Sequence, residues 1–161
     1  EVAVRGATVM GGYLNRPEAT AATLVNGWLR TGDVGRIDER GFLTLLDRKK
    51  DVIISGGMNI YAREVEDVLL EASGVADIAV IGIPDEEWGE SVHAFVVLRA
   101  GGEADAETII ARCRKTLSGY KVPRGVTFID ELPRNASGKI LKRDLRAGAA
   151  VAPSEPRQAE A

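Results

Sequence analysis

The sequence predicts an α+β fold: a small domain over about residues 51–147, with a three-stranded sheet flanked by helices, preceded by a β-rich segment. Three apolar runs, at residues 78–83, 92–98 and 126–129, have the length and the branched side chains of strands. Two helical stripes intermix with them, and no connection is a long crossover. This mixture is typical of a compact α+β domain.

Residues 1–46 form the β-rich segment, with short extended runs at 2–4 and 41–46. Residues 17–24 resemble a short helix, and large apolar side chains are too few here for an independent core. The chain opens at Glu1 without an initiator methionine or a signal peptide. We therefore expect this segment to complete a sheet or barrel of a larger domain, as part of a longer polypeptide.

The small domain begins with a strand and a helix. Residues 52–54 are strand-like, and the glycines that follow Ser55 form a loop that could approach a ligand closely. From Ala62 onward, apolar residues recur at the spacing of one helical face, and Gly74 ends the pattern. The stripe consists of Val65, Val68, Leu69 and Ala72.

The two longest strand runs, residues 78–83 and 92–98, are apolar on both alternating faces, which predicts a sheet covered on both sides. A second helical stripe follows, and Asp105 is its predicted N-cap. Leu141 and Leu145 mark a last short helix. The second stripe consists of Ala106, Ile109, Ile110, Cys113 and Leu117.

The composition indicates a soluble globular protein, since 45% of its 161 residues are hydrophobic and 28% are charged. A net charge of −3 argues against a general nucleic-acid binder, which is usually basic. No apolar run reaches the ~18 residues that span a bilayer, so we expect no transmembrane segment. The single cysteine, Cys113, excludes an internal disulfide and fits a buried thiol in the reducing cytoplasm. Residues 148–161, rich in Ala, Pro, Glu and Gln, are predicted to be a disordered tail.

Residues 133–143 (Pro-Arg-Asn-Ala-Ser-Gly-Lys-Ile-Leu-Lys-Arg) place a lysine on a turn of small residues. Gly138 can hold backbone angles closed to other residues, so Lys139 can present a mobile charge to a phosphate or a carboxylate. The segment is not a Walker phosphate loop, because Pro133 replaces its first glycine and Ile140 replaces its magnesium-binding hydroxyl residue. On these residues alone, Lys139 could equally be a surface cation beside a helix.

Three further residues could carry chemistry. Asp33 follows a glycine, where a carboxylate could accept two hydrogen bonds from a diol such as ribose or form an ordinary Asx-turn. Arg48 offers a planar fork of donors, but its polar cluster at residues 47–51 could also be a solvated hairpin tip. His93, the single histidine, lies in a strand run without an evident partner, and we expect a structural role for it.

Four motifs, in this order and at this spacing, resemble the C-terminal third of the adenylate-forming enzymes. That family includes acyl-CoA synthetases, aryl-CoA ligases, firefly luciferase and peptide-synthetase adenylation domains. The resemblance covers about residues 1–146, and Ile54 departs from it where several relatives have a lysine. The motifs are residues 27–33 (Gly-Trp-Leu-Arg-Thr-Gly-Asp), 47–51 (Asp-Arg-Lys-Lys-Asp), 54–61 (Ile-Ser-Gly-Gly-Met-Asn-Ile-Tyr) and the lysine turn.

The resemblance implies four ATP-binding residues. Asp33 matches the aspartate that binds both ribose hydroxyls of ATP, and Arg48 matches the arginine that assists it. Asn59 stands where relatives carry a polar residue near the adenylate. Lys139 matches the catalytic lysine of the adenylation step, in which a carboxylate attacks the α-phosphate of ATP.

The resemblance also implies a hinge and a CoA site. Lys50 falls on the hinge position, while Gly56 and Gly57 match a loop beside the pantetheine tunnel, where a side chain would obstruct the thiol. The implied organisation is the end of a large N-terminal adenylation domain at residues 1–46, a hinge at 47–50 and a mobile C-terminal domain at 51–147. The missing N-terminal domain, which would carry most of the site, is then a partner of this chain.

The function implied is that of the C-terminal part of an ATP-dependent acyl-CoA synthetase, as found in fatty acid metabolism. Such an enzyme converts a carboxylic acid, ATP and CoA into acyl-CoA, AMP and diphosphate through an acyl-adenylate, with Mg²⁺ on the nucleotide. One alternative is an adenylating module that loads a carrier protein. The other is a non-catalytic domain fragment, since the chain alone holds an incomplete site and is expected to be inactive.

Overall fold

The computed structural model describes residues 1–149. The chain divides into two compact units, of which the first is Glu1–Val52 and the second begins at Ile53. Residues 148 and 149 of the predicted tail belong to the last helix, and the rest of that tail lies outside the described residues.

The first unit contains a three-stranded antiparallel sheet, in the order β1-β3-β2, and a two-stranded antiparallel sheet, β4-β5. Asn26 and Gly27 join β2 to β3 with positive φ angles of 52° and 78°, which is a hairpin turn that Asn-Gly favours. The elements are β1 (Ala3–Val4), α1 (Pro17–Thr23), β2 (Leu24–Val25), β3 (Trp28–Arg30), β4 (Asp33–Ile37) and β5 (Leu43–Arg48).

Large apolar side chains of the first unit remain exposed within the described part of the chain. Leu14 is 89% exposed, Ile37 69% and Phe42 65%. The fully buried apolar residues of the described chain all follow Val52. The first unit therefore has sheets but no buried core of its own within the described residues.

The second unit has the predicted α+β architecture, which the structure confirms. Its elements are β6 (Ile53–Ser55), β7 (Met58–Ile60), α2 (Ala62–Leu70), β8 (Val75–Asp85), β9 (Gly89–Leu98), α3 (Ala106–Thr116), β10 (Gly125–Phe128) and α4 (Lys142–Ala149).

Strand β9 is the centre of the sheet of the second unit. It pairs with β8 in antiparallel register along most of its length and with β10 in parallel register from Gly125↔His93 onward. These are the three strands that the sequence predicts. The β6–β7 hairpin joins the same sheet through one pair, Ser55↔Gly89, and raises the strand number to five.

Both faces of this sheet are covered, as the apolar pattern of its strands predicts. One cluster packs Val80 and Val96 under α2 and α3, whose Leu69 and Ile109 are fully buried. The opposite cluster packs Ala79, Ile81, Phe95 and Leu132 against Leu145 of α4. Each fully buried leucine or isoleucine stabilises the fold by about 1.5–3 kcal/mol, so the sheet provides a firm frame for the turns at its edges.

The predicted N-cap of α3 is confirmed, whereas α2 ends earlier than its apolar pattern predicts. Asp105 Oδ1 accepts a hydrogen bond of 2.8 Å from the amide of Thr108, which makes it the N-cap of α3. Helix α2 ends at Leu70 with Glu71 as its C-cap, so Gly74, with a φ angle of 86°, lies in the turn before β8 and does not cap the helix.

Candidate functional site

Asp33 and Arg48 face each other across the β4–β5 sheet. They are paired in register, and Arg48 Nε lies 3.0 Å from Asp33 Oδ1. Arg48 Nη1 also donates a hydrogen bond of 3.0 Å to the carbonyl of Thr31, while the amide of Asp33 donates to the Thr31 hydroxyl at 3.0 Å. Asp33 is 28% exposed and Arg48 45%, so the pair is ordered by the sheet yet open to a ligand.

Lys50 lies in a short 3-10 turn, Lys49–Asp51, directly after β5. The amide of Lys49 donates to the carbonyl of Gly32 at 2.8 Å, which joins this turn to the loop before Asp33. Gly32, Arg48, Lys49 and Lys50 line a concave surface of about 300 Å³. The boundary between the two compact units follows Val52, two residues after Lys50.

Gly56 and Gly57 form the two-residue turn of the β6–β7 hairpin, with φ angles of 55° and 77°. A Cβ atom on Gly56 would lie 2.7 Å from Trp88 Cε3, and the Gly56 amide donates to the Trp88 carbonyl at 2.9 Å. A Cβ atom on Gly57 would meet no described atom within 4 Å. Gly56 is therefore required by its packing, whereas Gly57 faces open space.

Asn59 lies on the same hairpin, opposite Ile54 in register. Paired residues of an antiparallel ladder project from the same face of the sheet, and both of these side chains are exposed. Their neighbours Ile53 and Ile60 are buried in the core. The hairpin thus directs Asn59 to solvent.

A cavity of about 540 Å³ borders the glycine turn and was missed by the sequence reasoning. The Arg124 guanidinium stacks on the Trp88 ring, 4.7 Å from its centroid, and neither Arg124 nor Arg114 has an ion-pair partner within residues 1–149. The residues that line this cavity include Gly56, Met58, Trp88, Arg114, Tyr120 and Arg124. Trp88 is 26 residues from Arg114 and 36 from Arg124 in the sequence, so no local pattern indicated this cavity.

Lys139 lies on a turn whose backbone is fixed by one side chain. Asn135 Oδ1 accepts hydrogen bonds from the amides of Ser137 at 3.0 Å and Lys139 at 2.9 Å. Gly138 has a φ angle of 80°, and the Asn135 amide donates to the Lys139 carbonyl at 3.0 Å. The Lys139 side chain is exposed, and within the described residues no acidic side chain pairs with its ammonium.

His93 and Cys113 are not among the residues that line either concave surface. His93 Nε2 is 2.8 Å from the Thr127 hydroxyl, and burial lowers the pKa of the imidazole. Cys113 is buried on α3, and burial raises the pKa of its thiol to about 11. Both environments suit structural residues.

The predicted site residues thus fall into three groups: Asp33 and Arg48 on one sheet, with Lys50 in the turn that follows; Gly56, Gly57 and Asn59 on one hairpin; and Lys139 on a separate turn. Residues 1–149 contain no group of three or more His, Cys, Asp or Glu side chains arranged to hold a metal ion. No helix among them has the length and apolarity that a membrane span requires.

Comparisons with known proteins relate this chain to one family. Residues 64–139 match the family model described as the AMP-binding enzyme C-terminal domain. The chain is 52% identical over 146 residues to 2-succinylbenzoate–CoA ligase of Bacillus cereus, and 54% identical over 145 residues to long-chain-fatty-acid–CoA ligase of Bacillus subtilis. These matches cover 91% and 90% of the chain but only 30% and 26% of the two relatives.

Solved structures show the same likeness. The Bacillus subtilis o-succinylbenzoate CoA synthetase MenE, in complex with its acyl-adenylate intermediate, is 43% identical, with a TM-score of 0.84 over 99% of this chain. ATP-bound MatB from Rhodopseudomonas palustris is 38% identical, with a TM-score of 0.84 over 91% of this chain. The chain covers 31% and 29% of these two structures, respectively.

Proposed function

Because the chain belongs to the adenylate-forming enzymes, as their C-terminal portion, we propose that the complete enzyme joins a carboxylic acid to CoA through an acyl-adenylate. The observation that carries this proposal is Lys139: an exposed cation without a counter-ion in the described residues, on a turn whose backbone is fixed. A free cation on a fixed turn is what a reaction between two anions requires.

In the first half-reaction the carboxylate of the acid attacks the α-phosphate of ATP, and diphosphate leaves. Two anions must approach each other, and negative charge accumulates on the phosphate oxygens in the transition state. The Lys139 ammonium would offset both the repulsion between the two anions and the negative charge on the phosphate oxygens. At about 4 Å such a contact is worth about 1 kcal/mol in water and about 4 kcal/mol at a surface-like dielectric, so the lysine is most effective where water is excluded.

Asp33 and Arg48 would hold the nucleoside. A carboxylate can accept hydrogen bonds from both hydroxyls of a ribose, and the Arg48 contact fixes the orientation of Asp33 before the ligand arrives. Asn59, exposed on its hairpin, would donate to or accept from the adenylate. Magnesium would accompany the nucleotide, and residues 1–149 supply no cluster of ligands for it.

In the second half-reaction the CoA thiolate attacks the acyl carbonyl, and AMP leaves. Gly57, which faces open space, would let the thiol approach along the backbone. The adjoining cavity, with Trp88, Tyr120 and two arginines, suits the adenine and phosphates of CoA. This cavity favours CoA over a carrier protein as the acceptor, since a carrier presents pantetheine without a nucleotide.

We further propose that residues 51–147 move as a body about a hinge at residues 47–50, centred on Lys50, between the two half-reactions. Apolar clusters cover both faces of the sheet of the second unit, and this packing supports motion of the unit as one body. The end of the larger adenylation domain would then be residues 1–46, and the missing remainder of that domain would be the partner of this chain. The buried single thiol suits the cytoplasm.

The experiment that tests the function offers the complete enzyme ATP, CoA and a panel of acids that begins with a long-chain fatty acid and 2-succinylbenzoate, as the names of the relatives suggest. Acyl-CoA and AMP formed in equal amounts would support the proposal. Transfer to a phosphopantetheinylated carrier in preference to CoA would favour the carrier-loading alternative. Micromolar binding of ATP to the isolated chain in a calorimeter would count against an inert fragment.

A further inference from the structure

The lysine turn is attached to the sheet by an ion pair at its N-terminal end. The Arg134 guanidinium contacts Asp77 Oδ2 on β8 and also donates to the carbonyl of Gly138, directly before Lys139. Arg134 and Ile140 form an antiparallel bridge across the base of the turn. One side chain therefore joins the turn to a strand of the core.

A second ion pair holds the C-terminal end of the turn. Lys142 Nζ, at the start of α4, lies 2.8 Å from Glu66 Oε1 on α2, and the two side chains are only 15% and 17% exposed. The same Glu66 oxygen accepts a hydrogen bond of 2.8 Å from the amide of Val80 on β8. Among the described strands β8 pairs only with β9, so this amide lies on the free edge of the sheet.

We propose that Asp77 and Glu66 are positioning residues for Lys139, which together set the place of the lysine turn on the edge of β8. The hydrogen bonds of Asn135 fix the shape of the turn, and the two ion pairs, together with the packing of Ile140 against the core, fix where the turn lies. A catalytic group displaced by about 1 Å loses up to about 100-fold in rate, so the two carboxylates act on the reaction through Lys139.

This inference rests on the proposed function, and it predicts an effect on one half-reaction only. The glycine turn lies between β6 and β7, and neither ion pair touches it. Loss of the Asp77 or Glu66 charge should therefore slow acyl-adenylate formation and spare thioester formation from a supplied acyl-adenylate.

The Asp77→Asn variant of the complete enzyme tests this. An asparagine keeps an acceptor for the amide of Ile78, which Asp77 Oδ1 binds at 2.9 Å, and removes the charge that faces Arg134. Glu71→Gln is the control variant, because it breaks another carboxylate–arginine pair, Glu71–Arg112 at 3.1 Å, that does not involve the lysine turn, although Glu71 is more exposed (74%) than Asp77 (32%). With the best acid of the panel, we expect adenylation to fall about 10-fold or more in Asp77→Asn and not in Glu71→Gln.

Two further measurements separate positioning from folding. In a Lys139→Ala background, Asp77→Asn should cause no further loss of adenylation, because its effect passes through the lysine. Glu66→Gln, which keeps an acceptor for the Val80 amide, should reproduce the selective loss, with thermal unfolding confirming a folded protein.

Equal effects of Asp77→Asn and Glu71→Gln, or a further loss by Asp77→Asn without Lys139, would overturn the inference. Normal adenylation by Lys139→Ala alone would instead overturn the proposed function.

Discussion

Arg48 lies opposite Asp33 in the register of β4 and β5, with its Nε 3.0 Å from Asp33 Oδ1. Arg48, the last residue of β5, thus contacts Asp33, the first residue of β4, and the pairing of the two strands aligns their side chains. Because both side chains are partly exposed, the contact adds little to stability, about 0–1 kcal/mol for a surface pair. Its consequence is a carboxylate whose direction is set in advance, as a diol-binding group requires.

The Asp33→Asn variant should bind ATP more weakly. A hydrogen bond to a charged acceptor is worth about 1.5–3 kcal/mol, so we expect the KM for ATP to rise roughly 10- to 150-fold. The comparison of ATP with 2′-deoxy-ATP identifies the contact, since the unaltered enzyme should prefer ATP and the variant should discriminate less. Unchanged discrimination would show that Asp33 does not bind the ribose.

Gly57→Ala should slow thioester formation and leave adenylation near its original rate. The new methyl group would meet no described neighbour, so the fold should tolerate it, at a cost of about 1–2 kcal/mol for the left-handed backbone. Gly56→Ala is the contrasting variant, because its Cβ would clash with Trp88 and lower stability further. Stopped assays of each half-reaction, with thermal unfolding of both variants, make the comparison. Normal thioester formation by Gly57→Ala would argue against a thiol path at this turn.

Trp88→Ala and Arg124→Ala should raise the KM for CoA without changing the KM for ATP. Loss of an aromatic stacking surface or a phosphate-binding cation costs roughly 1–3 kcal/mol, or about 5- to 150-fold in affinity. Pantetheine, which lacks the nucleotide, is the control substrate. Its KM should be the same for both variants and the unaltered enzyme, and an equal rise with pantetheine would place the defect outside the nucleotide contact.

His93 should make stability depend on pH. Burial lowers the pKa of His93 in the folded chain below its ordinary value of 6.5, so the unfolded chain binds the proton first as the pH falls. The folded state should therefore lose stability from about pH 6.5 downward, through the window between the two pKa values, and gain none above it. Urea unfolding at pH 7.5 and pH 5.5 measures this loss, which should be smaller in His93→Gln. An equal loss in both proteins would assign the dependence to other groups.

Local periodicity was sufficient to predict most of the second unit. Val80 and Ile81 alternate between two buried faces of the sheet, and Val65 and Leu69 share one buried face of α2. Both patterns are visible in the spacing of apolar residues along the sequence. The same holds for Asp105, whose capping role depends only on its neighbours.

Contacts between distant parts of the chain carried no such local signal. Asp77 and Arg134 are 57 residues apart, and nothing in either segment indicates the other. The Trp88 cavity likewise forms only when the β8–β9 turn meets the segment after α3. The strand number was underestimated for a related reason, since a single pair at Ser55 joins the β6–β7 hairpin to the sheet.

The most direct test of the account measures both half-reactions of the complete enzyme with Lys139→Ala. We expect acyl-adenylate formation from ATP and acid to fall about 100- to 1000-fold, as for the loss of one preorganised charge-stabilising donor, because Arg134, Lys142 and Arg143 of the same segment each face a carboxylate. Thioester formation from supplied acyl-adenylate and CoA should stay within about twofold of the unaltered enzyme, since that step expels AMP without an attack on phosphate. An equal loss in both half-reactions, or no loss in the first, would contradict the role assigned to Lys139.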